Sequence, residues 1–267
     1  MQLNIVNGSV EYNGKPVLSQ IDFSLRDNEK IALIGRNGCG KTTLLKALTG
    51  EVELIKGTGE EEFGFYITGK PEIGYLRQVA FSDNATTMYD EVASAYARVI
   101  ETERKLNDAL TEMEKNSSEE TVRAYTNLAD RYEAEGGYTY KKECLTAIRK
   151  FGFSDYEMIK PLSEFSGGQR TKIALLKLLL SRPSVLLLDE PTNHLDVEAI
   201  EWLENYLKEY KNACVIVSHD RMFLDRIVNV VYEIEYGEMT RYRGNYTAFT
   251  VQKKKIRQSG QRGRAEI

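Results

Sequence analysis

The 267-residue sequence predicts an α/β domain with a mainly parallel core sheet, an N-terminal antiparallel β layer and a helical subdomain carrying an α-hairpin arm. Three observations lead there. Short, nearly continuous apolar runs at 31–34, 73–76, 185–188, 215–217 and 230–234 read as strands buried on both faces, and helical patterns separate several of them. A glycine-rich loop joins one such strand to a helix, as in crossover α/β folds. Between 90 and 135 apolar residues recur every three or four positions, the period of helices.

Residues 1 to about 30 read as alternating short strands with turns at Asn13-Gly14 and Asp27-Asn28. The strand Ile31 to Ile34 then enters Gly35-Arg36-Asn37-Gly38-Cys39-Gly40-Lys41-Thr42, which matches G-x-x-x-x-G-K-[ST] and opens a helix bearing Leu44, Leu45 and Leu48. The glycines let backbone N–H groups curl around a phosphate, and the helix N-terminus adds partial positive charge. Lys41 is expected to reach the β and γ oxygens and Thr42 to offer a magnesium ligand. Asn37, Gly38, Gly40 and Thr43 join the expected nucleotide-binding set, and Gly50 fits the helix stop. The Gly-x-Gly-x-x-Gly of a dinucleotide site is absent here.

Val92, Tyr96, Val99, Leu106, Leu110 and Met113, then Val122, Tyr125, Leu128 and Tyr132, predict two antiparallel helices. Ser117 with Glu120 forms a capping-box pattern for the second, and Gly136-Gly137 ends it. Glu112, Glu114, Glu119 and Glu120 make the tip acidic, which disfavours phosphate binding there.

Ser166-Gly167-Gly168-Gln169 precedes another helix-like run, after which the strand Val185 to Leu188 ends in Asp189-Glu190. Adjacent carboxylates at a strand end set one group near a magnesium ion and the next where an attacking water could sit. With the glycine loop, that pairing implies nucleotide hydrolysis. His219 follows the strand Val215 to Val217; the only other histidine, His194, lacks a ligand cluster, which argues against zinc.

The formal net charge of −4 requires any nucleic-acid contact to come from a local basic patch, and Lys253, Lys254, Lys255, Arg257, Arg262 and Arg264 supply one. Three scattered cysteines, Cys39, Cys144 and Cys214, argue against a disulfide framework and for a reducing compartment. No apolar stretch reaches the length of a membrane span and no secretory signal opens the chain, so a cytoplasmic location without direct membrane contact is expected.

These motifs carry a resemblance. Gly35 to Thr42 as Walker A, Ser166 to Gln169 as signature, Val185 to Glu190 as Walker B and His219 as switch histidine resemble a P-loop NTPase of the ATP-binding cassette type. Glu190-Pro191-Thr192-Asn193-His194-Leu195-Asp196 with Val217 to Asp225 is similar to the ABC-F family, soluble cassette ATPases that act on ribosomes. The resemblance implies a cassette at 1–250, with the helical subdomain and arm at about 85–165, and the basic start of an interdomain linker at 251–267. It implies ATP and Mg²⁺, with Thr42, Asp189 and Gln78 holding the metal, Lys41 neutralising charge, Glu190 polarising water and His219 sensing the γ-phosphate. Tyr12 either stacks on adenine or is a packed strand tyrosine, and Gln78 is otherwise a polar loop residue.

Family geometry further implies that Ser166, Gly167, Gly168 and Gln169 serve the nucleotide of an opposite cassette, with Asp196 as the D-loop residue at the seam. A second cassette, or a head-to-tail homodimer partner, would complete each site, and one cassette alone would hydrolyse ATP weakly. The implied partner is the ribosome, rRNA or tRNA, met through linker and arm, for translation control or antibiotic resistance. The alternative is the motor subunit of an ABC membrane transporter. Three features stay open in the sequence: the arm is a ribosome contact or a structural hairpin, the tail an RNA contact or a disordered terminus, and Cys39 a redox-responsive thiol or a tolerated small residue.

Overall fold

Two long strands, β1 (Gln2–Tyr12) and β2 (Lys15–Arg26), form an antiparallel hairpin in the computed structural model, which describes residues 2–57, 62–76 and 85–262. Asn13 and Gly14 both take positive φ, 52° and 72°, the turn whose twist matches the flanking strands. The strands are longer than the short ones expected, because register shifts between Ile5 and Glu11 bend β1 without ending its pairing. Leu18, Ile21, Phe23 and Leu25 of β2 are buried, the alternation of a sheet covered on one face.

Next come β3 (Lys30–Gly35) and α1 (Lys41–Leu48). Gly50, at φ 76°, closes the helix as expected: its N–H donates to Ala47 O at 3.1 Å and that of Glu51 to Lys46 O at 2.9 Å. β4 (Ile55–Lys56) and β5 (Gly64–Thr68) both pair with β1 and complete the antiparallel layer. β6 (Ile73–Tyr75) belongs to the second sheet.

The chain forms two compact units, Met1–Arg77 with Arg182–Ile267, and Gln78–Ser181. The second is helical: α2 (Met88–Ala93), a 3₁₀ turn at Ser94–Tyr96, α3 (Ala97–Lys115), α4 (Glu119–Ala134), α5 (Tyr140–Lys150), α6 (Asp155–Met158) and α7 (Gly167–Leu180). It is wider than the expected 85–165 because α7 packs with α2 and α5. The single helix expected over Val92 to Met113 is interrupted at Ser94–Tyr96. The cap of α4 is Ser118, accepting from Thr121 N at 3.3 Å, whereas Ser117 Oγ donates back to Met113 O at 3.1 Å. The expected Ser117 and Glu120 box is therefore out of register by one residue. Val122 is exposed, but Val99, Thr102 and Tyr132 are buried where α3 and α4 meet.

The chain then returns to the first unit with β7 (Val185–Asp189), α8 (Val197–Glu209), β8 (Ala213–Val217), α9 (Arg221–Ile227), β9 (Val230–Glu235), β10 (Glu238–Arg243) and α10 (Tyr246–Arg262). The core sheet runs β10-β9-β3-β8-β7-β6; it is parallel from β9 to β6, and β10 is antiparallel. β7 and β8 are almost wholly buried, but the edge strand β6 is only half-buried despite its apolar residues. Leu3, Phe23, Leu44, Val215 and Tyr232 belong to one core that unites the antiparallel layer, α1 and the parallel strands.

Buried Lys30 fastens α8 to this sheet. Its ammonium donates to Tyr210 O at 2.5 Å and Asn212 O at 2.6 Å, satisfying carbonyls at the helix end, while burial lowers its pKa. The basic tail is helical as far as Arg262, in place of the disordered terminus considered from sequence, and its helix starts at Tyr246, ahead of residue 251. Burial pushes the thiols of Cys144 and Cys214 up to about 11 and about 12, which leaves both unreactive.

Candidate functional site

At the carboxyl end of β3 the chain must turn into α1 within a few residues, and three glycines allow it. A Cβ on Gly35 would lie 2.5 Å from both Cys39 Sγ and Ile234 O; one on Gly40, at φ 106°, would lie 2.6 Å from Leu18 Cδ2. Gly38 has open space around it and is required for its φ of 78°. The loop thus curls against the β2 hairpin on one side and the end of β9 on the other. Lys41 Nζ sits inside the curl, donating to Gly35 O at 3.0 Å and Arg36 O at 3.1 Å. Asn37 is exposed on the loop and Thr43 half-buried in the first turn of α1.

Asp189 ends β7, two strands from β3, and Thr42 Oγ1 donates to its Oδ2 at 2.7 Å. A hydroxyl and a carboxylate so placed are hard oxygen donors of the kind that suit Mg²⁺. Glu190 continues the ladder one step further, its N–H donating to Val217 O at 2.8 Å. Its φ of 51° is strained for a non-glycine residue, a cost of about 1–3 kcal/mol that turns the side chain toward His219. His219 N–H donates to Glu190 Oε2 at 3.2 Å, and His219 Nε2 lies 3.4 Å from Oε1. Oε1 is buried and accepts no hydrogen bond among the described residues, with His219 Nε2 beside it at ion-pair distance. Asp220 N–H donates to Ser218 Oγ at 3.1 Å, and Asp220 caps α9, which fixes the backbone on both sides of His219.

The first unit therefore brings together Gly35 to Thr42, Asp189, Glu190 and His219. Gly35, Arg36, Lys41 and His219 line a cleft of about 440 Å³. Tyr12 ends β1 opposite Lys15 and is 45% exposed, unlike a packed strand tyrosine; the hairpin's second strand carries Leu18 to Gly40. Gln78 lies outside the described residues.

In the second unit Ser166 and Gln169 form a reciprocal cap: Gln169 N–H donates to Ser166 Oγ at 3.3 Å, and Ser166 N–H to Gln169 Oε1 at 3.0 Å. Both side chains thus hold the start of α7, where Gly168 is half-buried and a Cβ on Gly167 would meet nothing within 4 Å. Asp196 caps α8, accepting from Ala199 N at 2.9 Å. Sequence reasoning missed Ile234, whose carbonyl confines Gly35, and put Lys253 in the basic patch, whereas it lines the same cleft. The Glu-Ile-Glu at 233–235 is the only local sign of them.

A family model described as ABC transporter matches residues 18–193. YfmR, an uncharacterized ABC transporter ATP-binding protein of Bacillus subtilis, is 37% identical over 239 residues, covering 89% of this chain and 37% of YfmR. The tylosin resistance ATP-binding protein TlrC of Streptomyces fradiae is 33% identical over 256 residues, covering 94% of this chain and 46% of TlrC. The chain thus spans less than half the length of these relatives. A solved ATP-binding subunit of an ABC transporter superposes with a TM-score of 0.65 over 91% of this chain and 90% of its own, at 19% identity, a likeness of fold. The chain belongs to the ABC transporter family, as an ATP-binding cassette resembling those of ABC-F proteins.

Proposed function

We propose that this cassette hydrolyses ATP to ADP and phosphate. The observation that carries the reading is the meeting of Lys41, the Thr42–Asp189 pair and the Glu190–His219 pair at the ends of adjacent strands. Thr42 and Asp189 would hold Mg²⁺, which would neutralise charge on the β- and γ-phosphate oxygens. Lys41 offers a point charge to the same oxygens as the amides of the loop cradle them. Glu190 would orient a water through its carboxylate. The water oxygen bonds to the γ-phosphorus, the bond to the β-bridging oxygen breaks, and the water proton passes to Glu190 or to solvent. His219 faces the γ-phosphate and steadies Glu190, while exposed Tyr12 stacks on adenine.

A second cassette, in a longer protein or a second copy, would supply Ser166, Gly167, Gly168 and Gln169 and pack against Asp196. We further propose an ABC-F type role on the ribosome; the α3–α4 hairpin, the basic helix α10 and the likeness to TlrC, a tylosin resistance protein, support it. Lys254 and Lys255 are exposed for rRNA or tRNA. No helix among the described residues is long and apolar enough to cross a membrane. The transporter-motor reading draws on the name of YfmR and would require a separate membrane partner.

Glu190→Gln should lower kcat by about 10² to 10⁴ while nucleotide affinity holds, because only proton acceptance is lost. It should also accumulate a dimer on sizing in ATP and none in ADP. Unchanged turnover would remove Glu190 from the chemistry. Co-sedimentation of the variant with ribosomes in ATP supports the ribosomal role; recovery with a membrane protein instead would favour the transporter reading.

A further inference from the structure

The end of β9 is held from two sides. On one, β9 runs parallel to β3 with Ile34 opposite Glu233 and Gly35 opposite Ile234, so the Ile234 carbonyl lies directly against the first glycine of the phosphate loop. On the other, Lys253 of α10 bridges the two carboxylates that flank Ile234: its ammonium donates to Glu233 Oε1 and, at 3.3 Å, to Glu235 Oε2. Lys253 and Glu233 are well shielded, with side-chain exposures of 19% and 13%, whereas Glu235 is 37% exposed. Burial opposes the charged lysine, but the hydrogen bonds and charges of Glu233 and Glu235 outweigh it and raise the Lys253 pKa.

Helix α10 has its own anchorage beside this bridge. Asn245 caps it, with Ala248 N–H donating to Asn245 Oδ1 at 3.0 Å; Thr247 N–H donates to Asp225 Oδ1 at 2.6 Å; and Phe249 meets Tyr242 edge-on, ring centroids 4.9 Å apart. The helix therefore has anchors besides Lys253. What Lys253 adds is a fixed position for the strand end that bounds Gly35, in the same cleft that Lys41 and His219 line.

We propose that Lys253 is a positioning residue for the nucleotide site: by clamping Glu233 and Glu235 it keeps Ile234 against Gly35 and so sets the entry of the phosphate loop. This rests on nucleotide binding at that loop. It also removes one lysine of the basic run from contact with RNA and gives it an inward role. Misplacing a loop by about 1 Å can cost up to about a hundredfold in the step it serves.

The test is titration of the full chain with a fluorescent ATP analogue and Mg²⁺, alongside amide hydrogen exchange of the nucleotide-free protein. Lys253→Met should weaken binding about tenfold and speed exchange at residues 33–41, and Lys253→Arg, which can keep both carboxylates, should restore each. Glu233→Gln leaves Lys253 its Glu235 partner; it should fold and show a smaller loss of the same sign, which keeps the test decisive should Lys253→Met not fold. Faster exchange confined to α10, with affinity for nucleotide unchanged in both variants, would overturn the positioning role. A wild-type chain that binds no nucleotide would instead overturn the ATP reading itself.

Discussion

Gly40 shows how a single residue decides the site. Its φ of 106° and the 2.6 Å approach a Cβ would make to Leu18 leave no conformation for a side chain, whereas Gly38 has only its φ of 78° to defend. Gly40→Ala should cost roughly 1–3 kcal/mol in backbone strain, and more through the clash, together with most of the nucleotide affinity. Gly38→Ala should cost about 1–2 kcal/mol. Urea midpoints and nucleotide titrations of the two variants check the order; equal and small effects would mean that the loop is not shaped as described. These glycines were legible because their spacing with Lys41 and Thr42 is itself the signal. The backbone strain at Glu190 was not, since nothing about a glutamate foretells positive φ, and neither were Ile234 and Lys253, whose roles come from strands and a helix distant in sequence.

At the scale of elements, the strands with dense β-branched and leucine content were readable, and their bounds moved by only a residue or two. The helical unit was harder. Periodicity through Tyr96 is continuous although the helix is not, because a 3₁₀ turn keeps apolar residues on nearly the same face as an α-turn would. The α4 cap slipped from Ser117 to Ser118 because two serines in succession offer the same chemistry.

What ties these helices together is partly Glu103, which accepts from Lys141 Nζ and Tyr140 OH, each at 2.7 Å, and from Tyr132 OH at 3.2 Å. The bond from Lys141, then those from Tyr140 and Tyr132, hold its carboxyl below the ordinary 4.5 against the cost of burial. A folded carboxyl that ionises below the unfolded one contributes stability that is complete above about pH 4.5 and lost as the pH falls through the folded value. Glu103→Gln should therefore weaken protection of α3 and α5 amides at neutral pH and flatten its fall in acid. A wild-type acid profile retained by the variant would assign that fall to other carboxylates.

For the molecule as a whole, the sequence showed the class of fold and the family because phosphate chemistry demands a strand, a glycine loop and a carboxylate-ended strand in fixed order. It did not show which side chains serve their own helix first: Ser166, Gln169 and Asp196 all cap helices, so any duty toward another cassette is added to a structural one. With a net charge of −4, the proposed RNA contact would have to come from a local basic patch such as that of α10.

The most direct measurement is a crystal structure of this chain with Mg²⁺ and a non-hydrolysable ATP analogue. The expected result is a triphosphate in the curl of residues 35–42, with Lys41 Nζ on its β and γ oxygens, the cation at Thr42 and Asp189, and a water on the Glu190 carboxylate. An empty loop at saturating analogue, or a nucleotide bound with Asp189 and Glu190 turned away from it, would contradict the assignment.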